Sequence, residues 1–234
     1  MSEGTRTAIV TGGSRGIGRA IVEALLDGGW RAYLCSKSPE SVGSALGELA
    51  GRGQVAGRPV DVREQDEVDA FVDWVRADAG RIDCLVNNAG LGHFGAIDGL
   101  TGDEWREVLR TNLDGAFYFI RAVAPAMKER GEGWIFNVAS LAAKNPFAGG
   151  AAYNASKFGM LGMSEAAMLD LRHDGIRVTA ILPGSVDTAF HGRGERGWML
   201  RSEDVARCVT DLLAFPDRAL PSRIELRPSR PPKR

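Results

Sequence analysis

Tyr153 and Lys157 lie four residues apart in a stretch that could carry acid–base chemistry. The segment from about 151 to 173 is rich in small and apolar residues and has no interior proline, which predicts a helix. Residues four apart share one face of a helix, so the phenol and the ammonium would lie close together. A free phenol has a pKa of about 10, and a neighbouring cation lowers that pKa because it favours the phenolate. The pair therefore predicts a tyrosine that exchanges a proton near neutral pH.

Ser140 precedes this helix and is separated from it by a loop that contains Pro146, Gly149 and Gly150. Its hydroxyl could orient a substrate oxygen beside the tyrosine. On spacing alone, however, a Tyr and a Lys four apart on a helix more often form an ordinary amphipathic pair. The elements around them must decide between these two interpretations.

The composition limits the classes of function. With 44% hydrophobic residues among 234 and a net charge of −1, the chain can bury a large core but has no basic field to attract nucleic acid or anionic lipid. We expect neither secretion nor membrane spanning, because no segment has the required apolar length. The three cysteines, Cys35, Cys84 and Cys208, are too scattered for a disulfide framework or a zinc site. These features predict a cytoplasmic protein that acts on a small molecule and holds no metal.

A strand, a glycine-rich turn and a helix follow one another near the N-terminus. Residues 7–11 are a β-branched run, residues 12–18 read GGSRGIG, and residues 19–27 have an amphipathic pattern. Glycines let the backbone turn tightly and approach a ligand, and free amides at a helix start attract phosphate. This order predicts a phosphate cradle, although the spacing matches neither the common G-x-G-x-x-G fingerprint nor a GK[ST] loop.

The second predicted strand, residues 31–36, ends where dinucleotide-binding folds hold the adenosine ribose. NAD-specific sites usually have an acid at this position, but here no acid occurs before Glu40. Lys37, helped by Arg15 from the glycine turn, could instead bind a 2′-phosphate through charge-assisted hydrogen bonds. We therefore favour NADP(H) over NAD(H), while use of NAD(H) and a role as ordinary solvated cations stay open as alternatives.

The remaining chain alternates predicted strands and helices, which is typical of an α/β domain. Further strands are predicted at 54–60, 82–86, 134–138, 177–182 and 223–226, and helices at 39–51, 64–79, 103–129, 151–173 and 202–215. We expect one domain over residues 1–226, followed by a frayed, basic and proline-rich tail at 227–234. Residues 189–200 lack clean periodicity and could form a mobile lid.

Several predicted element ends carry polar or small residues that suit a ligand. Asp61 could accept a hydrogen bond from an adenine amino group, or could only cap a helix or a turn. The run Asn87-Asn88-Ala89-Gly90 would let the chain lie against a ligand, though its asparagines could equally join neighbouring strands. Asn112 is a poor interior helix residue, which indicates a role, a local distortion or a solvated position. Pro183-Gly184 would turn the backbone over a crevice.

Six motifs, in the same order along the chain, resemble those of the classical short-chain dehydrogenase/reductases. They are TGGSRGIG at 11–18, NNAG at 87–90, Asn112, Ser140, Tyr153-x-x-x-Lys157 and PGSVDT at 183–188. Their ordered occurrence spans nearly the whole chain. The resemblance implies a single-domain, doubly wound parallel sheet of the Rossmann-like type, with helices on both faces and a ligand crevice at the carboxyl ends of the strands.

The resemblance also implies a role for each matching residue. Tyr153 would be the proton donor in a reduction, and Lys157 would lower its pKa and bind the nicotinamide ribose. Ser140 would hold the substrate carbonyl oxygen, and Asn112 would support a water-linked proton relay. Cofactor contacts are implied at Gly12, Ser14, Arg15, Gly16, Ile17, Gly18, Lys37, Asp61, Val62, Asn88, Ala89, Gly90, Pro183, Gly184, Val186 and Thr188. The implied reaction transfers a hydride between NADP(H) and a carbonyl or secondary alcohol, with Tyr153 as general acid or base.

Two other functions could use the same fold. A regulatory protein that binds the cofactor without turnover would not need all four catalytic positions, and an isomerase or dehydratase would be expected to have altered acid–base residues. The substrate is not identified by the sequence, since loops carry specificity. Residues that could line its pocket are His93, Phe94, Phe147, Phe190, His191 and Trp198.

Two further expectations concern the C-terminal end and assembly. The chain finishes with SRIELRPSRPPKR, whereas fatty-acyl reductases of the family commonly end in a glycine-rich strand, so we do not expect an acyl-carrier-protein substrate. Family members are usually dimers or tetramers that pair two long helices. This implies a homodimer or homotetramer through residues 103–129 and 151–173.

Overall fold

Seven strands in the described part of the chain form one parallel sheet. The computed structural model describes residues 4–188 and 197–232. The strands are β1 (Thr7–Thr11), β2 (Arg31–Ser36), β3 (Val55–Pro59), β4 (Cys84–Asn87), β5 (Gly133–Val138), β6 (Ile176–Pro183) and β7 (Arg223–Leu226). They lie in the order β3-β2-β1-β4-β5-β6-β7, and each neighbouring pair is parallel.

Helices cover both faces of this sheet. They are α1 (Gly16–Asp27), α2 (Pro39–Leu49), α3 (Gln65–Ala79), α4 (Gly102–Leu109), α5 (Gly115–Arg130), α6 (Ala151–Leu171) and α7 (Ser202–Leu213). Helices α1, α2 and α7 share a core with Val10 and Leu34, whereas α3 and α5 share a second core with Ile9 and Leu85. Adjacent residues of a strand point to opposite faces, so β1 contributes to both cores. This arrangement confirms the predicted doubly wound α/β fold.

The order in which strands are added to the sheet changes direction at β1. This strand pairs with β2 on one side and with β4 on the other, so the two halves of the sheet wind away from it in opposite directions. In open α/β sheets, ligands bind at such a reversal, outside the carboxyl ends of the strands. The turns that follow β1, β4, β5 and β6 therefore meet at the edge where a site is expected.

The helix predicted at 103–129 is interrupted. Helix α4 ends at Leu109, a π-helical turn covers Arg110–Asp114, and α5 begins at Gly115. The prediction of one continuous helix is therefore wrong at this turn, whereas the local distortion expected at Asn112 is present. Single π turns within helices frequently occur at functional sites. Pro125 lies within α5.

The structure also bears on membranes and cysteine chemistry. Among the described residues, no helix is both long enough and apolar enough to cross a bilayer.

Cys35, Cys84 and Cys208 are free thiols. Burial raises the pKa of the Cys35 thiol to about 12, so it stays protonated at neutral pH and is a poor nucleophile.

Candidate active site

A crevice of about 1940 Å³ opens at the carboxyl edge of the sheet. It exceeds the size of most small-molecule pockets, which hold about 300–1,000 Å³, and so has room for a dinucleotide together with a substrate. All the predicted catalytic and cofactor-binding residues line it except Gly18 and Asn112. Residues separated by up to 176 positions in the sequence, from Gly12 to Thr188, therefore share one cavity wall.

The predicted acid–base residues come together in this crevice. Tyr153 lies in the first turn of α6, and Lys157 follows one turn later with its side chain 4% exposed. The Lys157 Nζ lies 5.7 Å from the centroid of the Tyr153 ring and donates a hydrogen bond of 2.9 Å to the carbonyl oxygen of Val138. Ser140, two residues beyond that carbonyl, is hydrogen-bonded to the Tyr153 side chain. The end of β5 and the start of α6 thus hold three reactive groups in contact.

The electrostatics of Tyr153 differ from the sequence-based expectation. We expected Lys157 to lower the pKa of the phenol, but burial raises the pKa of Tyr153, and the hydrogen bond from Ser140 only partly opposes this. The phenol loses hydration in the crevice, and this cost to the phenolate outweighs the benefit from neighbouring groups. A raised pKa keeps the phenol protonated at neutral pH, as a proton donor requires.

Burial also shifts the pKa of Lys157. Burial lowers the pKa of its ammonium from 10.5 to about 8. Its Nζ donates to the carbonyl of Val138 and lies 4.0 Å from Sδ of Met160, which is a weak acceptor. The side chain remains mostly charged at pH 7 and can stabilise a phenolate that forms next to it.

Asn112 is buried within the π-helical turn and does not line the crevice. Its Nδ2 donates to the carbonyl of Leu91 and to Oγ of Ser156, both at 2.9 Å, and its Oδ1 accepts from the amide of Leu91 at 2.8 Å. Its exposed fraction is 0%, which excludes the solvated position. These bonds connect the loop after β4 to α6, so Asn112 positions the backbone at one side of the tyrosine.

The glycine turn after β1 has the geometry of an anion cradle. Gly12 and Gly16 have φ angles of 63° and 54°, which other residues rarely adopt. Helix α1 begins at Gly16, earlier than the predicted start at Arg19, and no side chain caps its first amides. A Cβ on Gly18 would clash with the carbonyl of Gly12, so Gly18 permits the turn rather than lining the crevice. The uncapped amides favour a phosphate.

The asparagine run after β4 joins this turn to the sheet. Asn88 donates from Nδ2 to the carbonyl of Thr11 at 3.1 Å, while Oγ1 of Thr11 accepts the amides of Asn88 and Ala89, each at 3.0 Å. Asn87 instead donates to Asn137 in the sheet at 2.9 Å. Both asparagines therefore join strands, and Asn88, Ala89 and Gly90 also line the crevice. Thr11 was missed as a site residue, although its position at the end of the first strand is a usable signal.

The predicted adenosine end of the crevice contains the cations Arg15, Lys37 and Arg63 together with the carboxylates of Asp61 and Glu107. Lys37 Nζ lies 3.2 Å from Oδ2 of Asp61, and Arg63 Nη2 lies 2.6 Å from the same oxygen. Arg63 holds the pKa of Asp61 far below its usual range. The Asp61 Oδ1 also accepts the backbone amide of Arg63 at 3.1 Å, which supports the turn interpretation alongside the adenine one. Arg63 lines the crevice and was not predicted from the sequence, where it is one arginine among many.

The opposite end of the cradle is formed by the turn after β6. Strand β6 ends at Pro183, and the next residue, Gly184, donates its amide to the carbonyl of Leu226 at 2.7 Å. Thr188 approaches the glycine turn, since a Cβ built on Gly16 would lie 3.6 Å from its Cγ2. The turns after β1 and β6 thus flank the crevice, as the predicted pyrophosphate and nicotinamide contacts require. Val62 and Val186 complete the lining near these turns.

The predicted pocket-lining residues divide into three groups. Phe94, Phe147 and Trp198 line the crevice. His93 does not line the crevice, and its Nε2 lies 2.9 Å from Oε2 of Glu107. Phe190 and His191, and the predicted lid up to residue 196, lie outside the described residues.

The site residues fit a phosphorylated dinucleotide. The amides at the start of α1 have no side-chain cap and could bind a pyrophosphate, and Arg15, Lys37 and Arg63 provide positive charge at the predicted adenosine end. An aromatic and amide-rich wall continues from there to Tyr153. This fit rests on the chemistry of the donors that line the crevice.

The family model of the short chain dehydrogenases matches residues 6–196. The chain belongs to this family. Among the curated relatives of this short-chain dehydrogenase, the sepiapterin reductase of Chlorobaculum tepidum is 31% identical, over 94% of this chain and 95% of the relative. The D-threitol dehydrogenase of Mycolicibacterium smegmatis is 35% identical, over 91% of this chain and 82% of the relative.

Solved structures agree with the family. A metagenomic short-chain oxidoreductase in complex with NADP is 35% identical to this short-chain dehydrogenase, with a TM-score of 0.86, and the match covers 99% of this chain and 100% of the other. A variant of the actinorhodin polyketide ketoreductase with NADPH is 31% identical, with a TM-score of 0.88 and coverage of 96% of both chains. The fold of this short-chain dehydrogenase is therefore that of these solved structures.

We predict that Lys157→Met increases the stability of the ligand-free short-chain dehydrogenase at pH 7. Lowering the pKa of Lys157 from 10.5 to about 8 corresponds to roughly 3 kcal/mol of destabilisation of the charged form. Loss of the hydrogen bond to Val138 offsets part of this, so a net gain of about 1–2 kcal/mol is expected in urea unfolding.

The pH dependence provides the check. Below about pH 8, folded and unfolded chains both hold the Lys157 proton, and the wild type carries the full penalty. Between about pH 8 and 10.5 the folded protein releases the proton while the unfolded chain keeps it, so the wild type gains stability and the advantage of the variant shrinks. Lys128→Met, at an exposed ion pair with Asp174, should change stability by less than about 1 kcal/mol throughout. A Lys157→Met variant that is less stable than wild type at pH 7 would contradict the prediction.

Proposed function

We propose that this protein is an NADP(H)-dependent oxidoreductase that interconverts a carbonyl compound and an alcohol. The observation that carries the proposal is the convergence of Tyr153, Ser140 and Lys157 on a crevice that extends to the glycine turn. A phenol with a raised pKa, a hydroxyl bonded to it and a buried ammonium beside it suit proton transfer to an oxygen. The reductase and dehydrogenase names of the relatives agree with this class of reaction.

The mechanism assigns one task to each of these side chains. Ser140 orients the substrate oxygen toward the phenol, and Tyr153 donates its proton to that oxygen during reduction. Lys157 stabilises the phenolate that is left, because its ammonium lies beside the ring and away from bulk water. When bound, NADPH supplies the hydride. In the oxidation direction, the Tyr153 phenolate removes the proton of the alcohol.

Residues outside the crevice would maintain this arrangement. The carbonyl of Val138 holds Lys157, and Asn112 holds the loop at Leu91 next to α6. The side-chain amide of Asn112 is already bonded to Leu91 and Ser156. A water-linked relay through this residue stays a proposal. Asn112 therefore acts at least as a positioning residue.

The cofactor assignment to NADP(H) rests on the charges at the adenosine end. Arg15, Lys37 and Arg63 line this end, where Asp61 is paired with Lys37 and Arg63, and Glu107 is paired with Arg63, so three cations face two carboxylates. The net positive charge favours a 2′-phosphate over a bare 2′-hydroxyl. Three similar solved structures, including an alcohol dehydrogenase from Thermococcus sibiricus, were obtained with NADP, NADPH or 5-hydroxy-NADP. NAD(H), which lacks the 2′-phosphate, is expected to bind with lower affinity.

Three sequence-based expectations stay predictions. They are a cytoplasmic location, a domain that spans residues 1–226, and a substrate that is not carried by an acyl carrier protein. The further expectation of a homodimer or homotetramer has support from exposed apolar side chains on the two helices concerned. On α5, Phe117 is 48% exposed, and on α6, Phe158 and Leu169 are 45% and 52% exposed.

We predict that the protein runs as a dimer or tetramer in size-exclusion chromatography with light scattering. The double variant Phe117→Ser/Phe158→Ser should shift it toward the monomer, since exposed aromatic side chains on helices are typical interface anchors. Ile97→Ser, which changes an even more exposed apolar residue outside these helices, should leave the mass unchanged. A monomeric wild type would overturn this assignment.

We predict that Tyr153→Phe lowers kcat for ketone reduction by about 10²–10⁴-fold, because the proton donor is removed. The dissociation constant for NADPH, measured by fluorescence titration, should change less than about twofold, since the ring remains. Tyr118→Phe, on α5 and outside the crevice lining, is the matched control and should retain wild-type rates. Full turnover by Tyr153→Phe would exclude this tyrosine as the acid. A wild type that binds NADPH but reduces no carbonyl would instead favour the regulatory function.

We predict that Lys37→Ala weakens NADPH binding by about tenfold or more and leaves NADH binding nearly unchanged. A charge-assisted hydrogen bond contributes about 1.5–3 kcal/mol, and only NADPH has the 2′-phosphate to receive it. The measurement is calorimetric titration of both cofactors, with Lys128→Ala as the control for loss of a surface charge. Equal weakening of both cofactors would remove the basis for the preference.

A further inference from the structure

The segment after β7 follows the wall of the crevice. Leu226 is paired with Pro183 at the end of β6, so the chain leaves the sheet next to the turn at Gly184. A Cβ built on Gly184 would lie 3.0 Å from Cδ of Pro228, which is direct packing. Arg227, Pro228, Pro231 and Pro232 line the crevice itself. The segment expected to be a frayed tail therefore borders the site.

Ion pairs tie the same segment to the loop that carries Ser140. Glu225 accepts from Nζ of Lys144 at 2.5 Å and from Nη2 of Arg227 at 2.8 Å. Lys144 lies in the loop just beyond Ser140. These two cations lower the pKa of Glu225 to about 2, so the bridge persists across the pH range of ordinary assays. The C-terminal segment is thus anchored to both turns that flank the substrate end.

Proline makes this border stiff. Its ring fixes φ, and proline-rich segments stay extended at little further cost in conformational entropy. Residues 228–232 read PSRPP, with prolines at three of five positions. A wall built in this way can contact a ligand without first having to become ordered.

Two aromatic rings border the same end of the crevice. The centroid of the Phe94 ring lies 5.7 Å from that of Tyr153 and 6.0 Å from that of Phe147. These rings are 52% and 46% exposed, and both line the crevice. The loops that carry them are joined by a hydrogen bond of 2.9 Å from the amide of Gly95 to the carbonyl of Gly149. The rings are therefore held together beside the catalytic phenol.

Apart from Lys157 beside Tyr153, two charged side chains that line the crevice near this end are engaged in ion pairs. Arg227 is paired with Glu225, and Glu107 is paired with Arg63 and His93. Leu141, Ala142 and Pro146 add further apolar surface to the lining. A charged group that bound Arg227 or Glu107 would have to break an existing ion pair, whereas a flat apolar group would meet aromatic and proline surface.

We propose that the substrate end of the crevice selects ketones that carry a planar aromatic group, and that Phe94, Phe147 and the segment 227–232 are the specificity elements. This inference rests on the proposed function for its reaction, but the binding preference can be measured separately. The aromatic group would lie against the exposed rings, where offset or edge contacts are favourable. The prolines would limit the space available beyond it.

The test compares two ketones with the same carbon skeleton, one with a flat aromatic ring and the other with a puckered saturated ring. Benzylacetone (4-phenyl-2-butanone) and 4-cyclohexyl-2-butanone have the same unconjugated carbonyl, and levulinate serves as a small anionic ketone. Binding is measured by calorimetry with the Tyr153→Phe protein saturated with NADPH, and turnover is measured with wild type. We expect benzylacetone to bind about fivefold to tenfold more tightly than its saturated analogue, and levulinate to bind most weakly.

Variants assign the preference to its residues. Phe147→Ala should reduce the preference for benzylacetone to about twofold or less, because one ring of the pair is lost. The triple change of Pro228, Pro231 and Pro232 to Gly should raise the KM for benzylacetone several-fold and leave NADPH affinity unchanged. Pro216→Gly, in the exposed loop after α7, is the matched control and should behave as wild type.

The outcomes separate this inference from the proposed function. Equal binding of the two ring compounds, tightest binding of levulinate, or no effect of the Phe147 and proline variants would overturn the inference even if ketones are reduced. Preferential binding of benzylacetone without NADPH oxidation toward any of the three ketones would support the aromatic site and count against the proposed reaction.

Discussion

The buried ammonium of Lys157 is the constraint on which the site depends. It is 4% exposed and is held by the last carbonyl of β5, at a cost visible in its lowered pKa. That cost is tolerated because α6 is fixed against the sheet by the core around Met160, Leu161 and Ala180. The same packing brings Tyr153 to Ser140. A stable fold therefore maintains an arrangement that would be unfavourable in isolation.

The crevice joins two different chemical environments. At the proposed adenosine end, Arg15, Lys37 and Arg63 provide positive charge, and the start of α1 provides uncapped amides. At the proposed substrate end, the exposed surface is aromatic and proline-rich. The sheet produces this polarity because the turns after β1 and β2 lie on one side of the reversal point, while those after β4, β5 and β6 lie on the other. The residues proposed to bind the cofactor and those proposed to bind the substrate are thus separated along one cavity.

The sequence predicts the limits of a strand or helix well where interactions between neighbouring residues set those limits, and less well where distant residues do. Strands β1, β2 and β7 have the predicted limits, because β-branched or apolar runs are bounded by turn residues. The helix at 103–129 was predicted without its interruption, because the π-helical turn is stabilised by bonds from Asn112 to Leu91 and Ser156, which are distant in sequence. Propensity indicated that Asn112 was unusual, but it could not indicate the partners.

By itself, the sequence determined the order of strands and helices, which follows from local periodicity, and its motifs resembled those of the family, which named the candidate reactive residues. Only the tertiary structure decided the direction of the pKa shift at Tyr153, the pairing of Lys37 and Arg63 with Asp61, and the course of the segment after β7. The physical reason is that burial and electrostatic pairing depend on which groups are near one another in space. Composition and spacing name the groups, whereas packing sets how much water and which charges surround them.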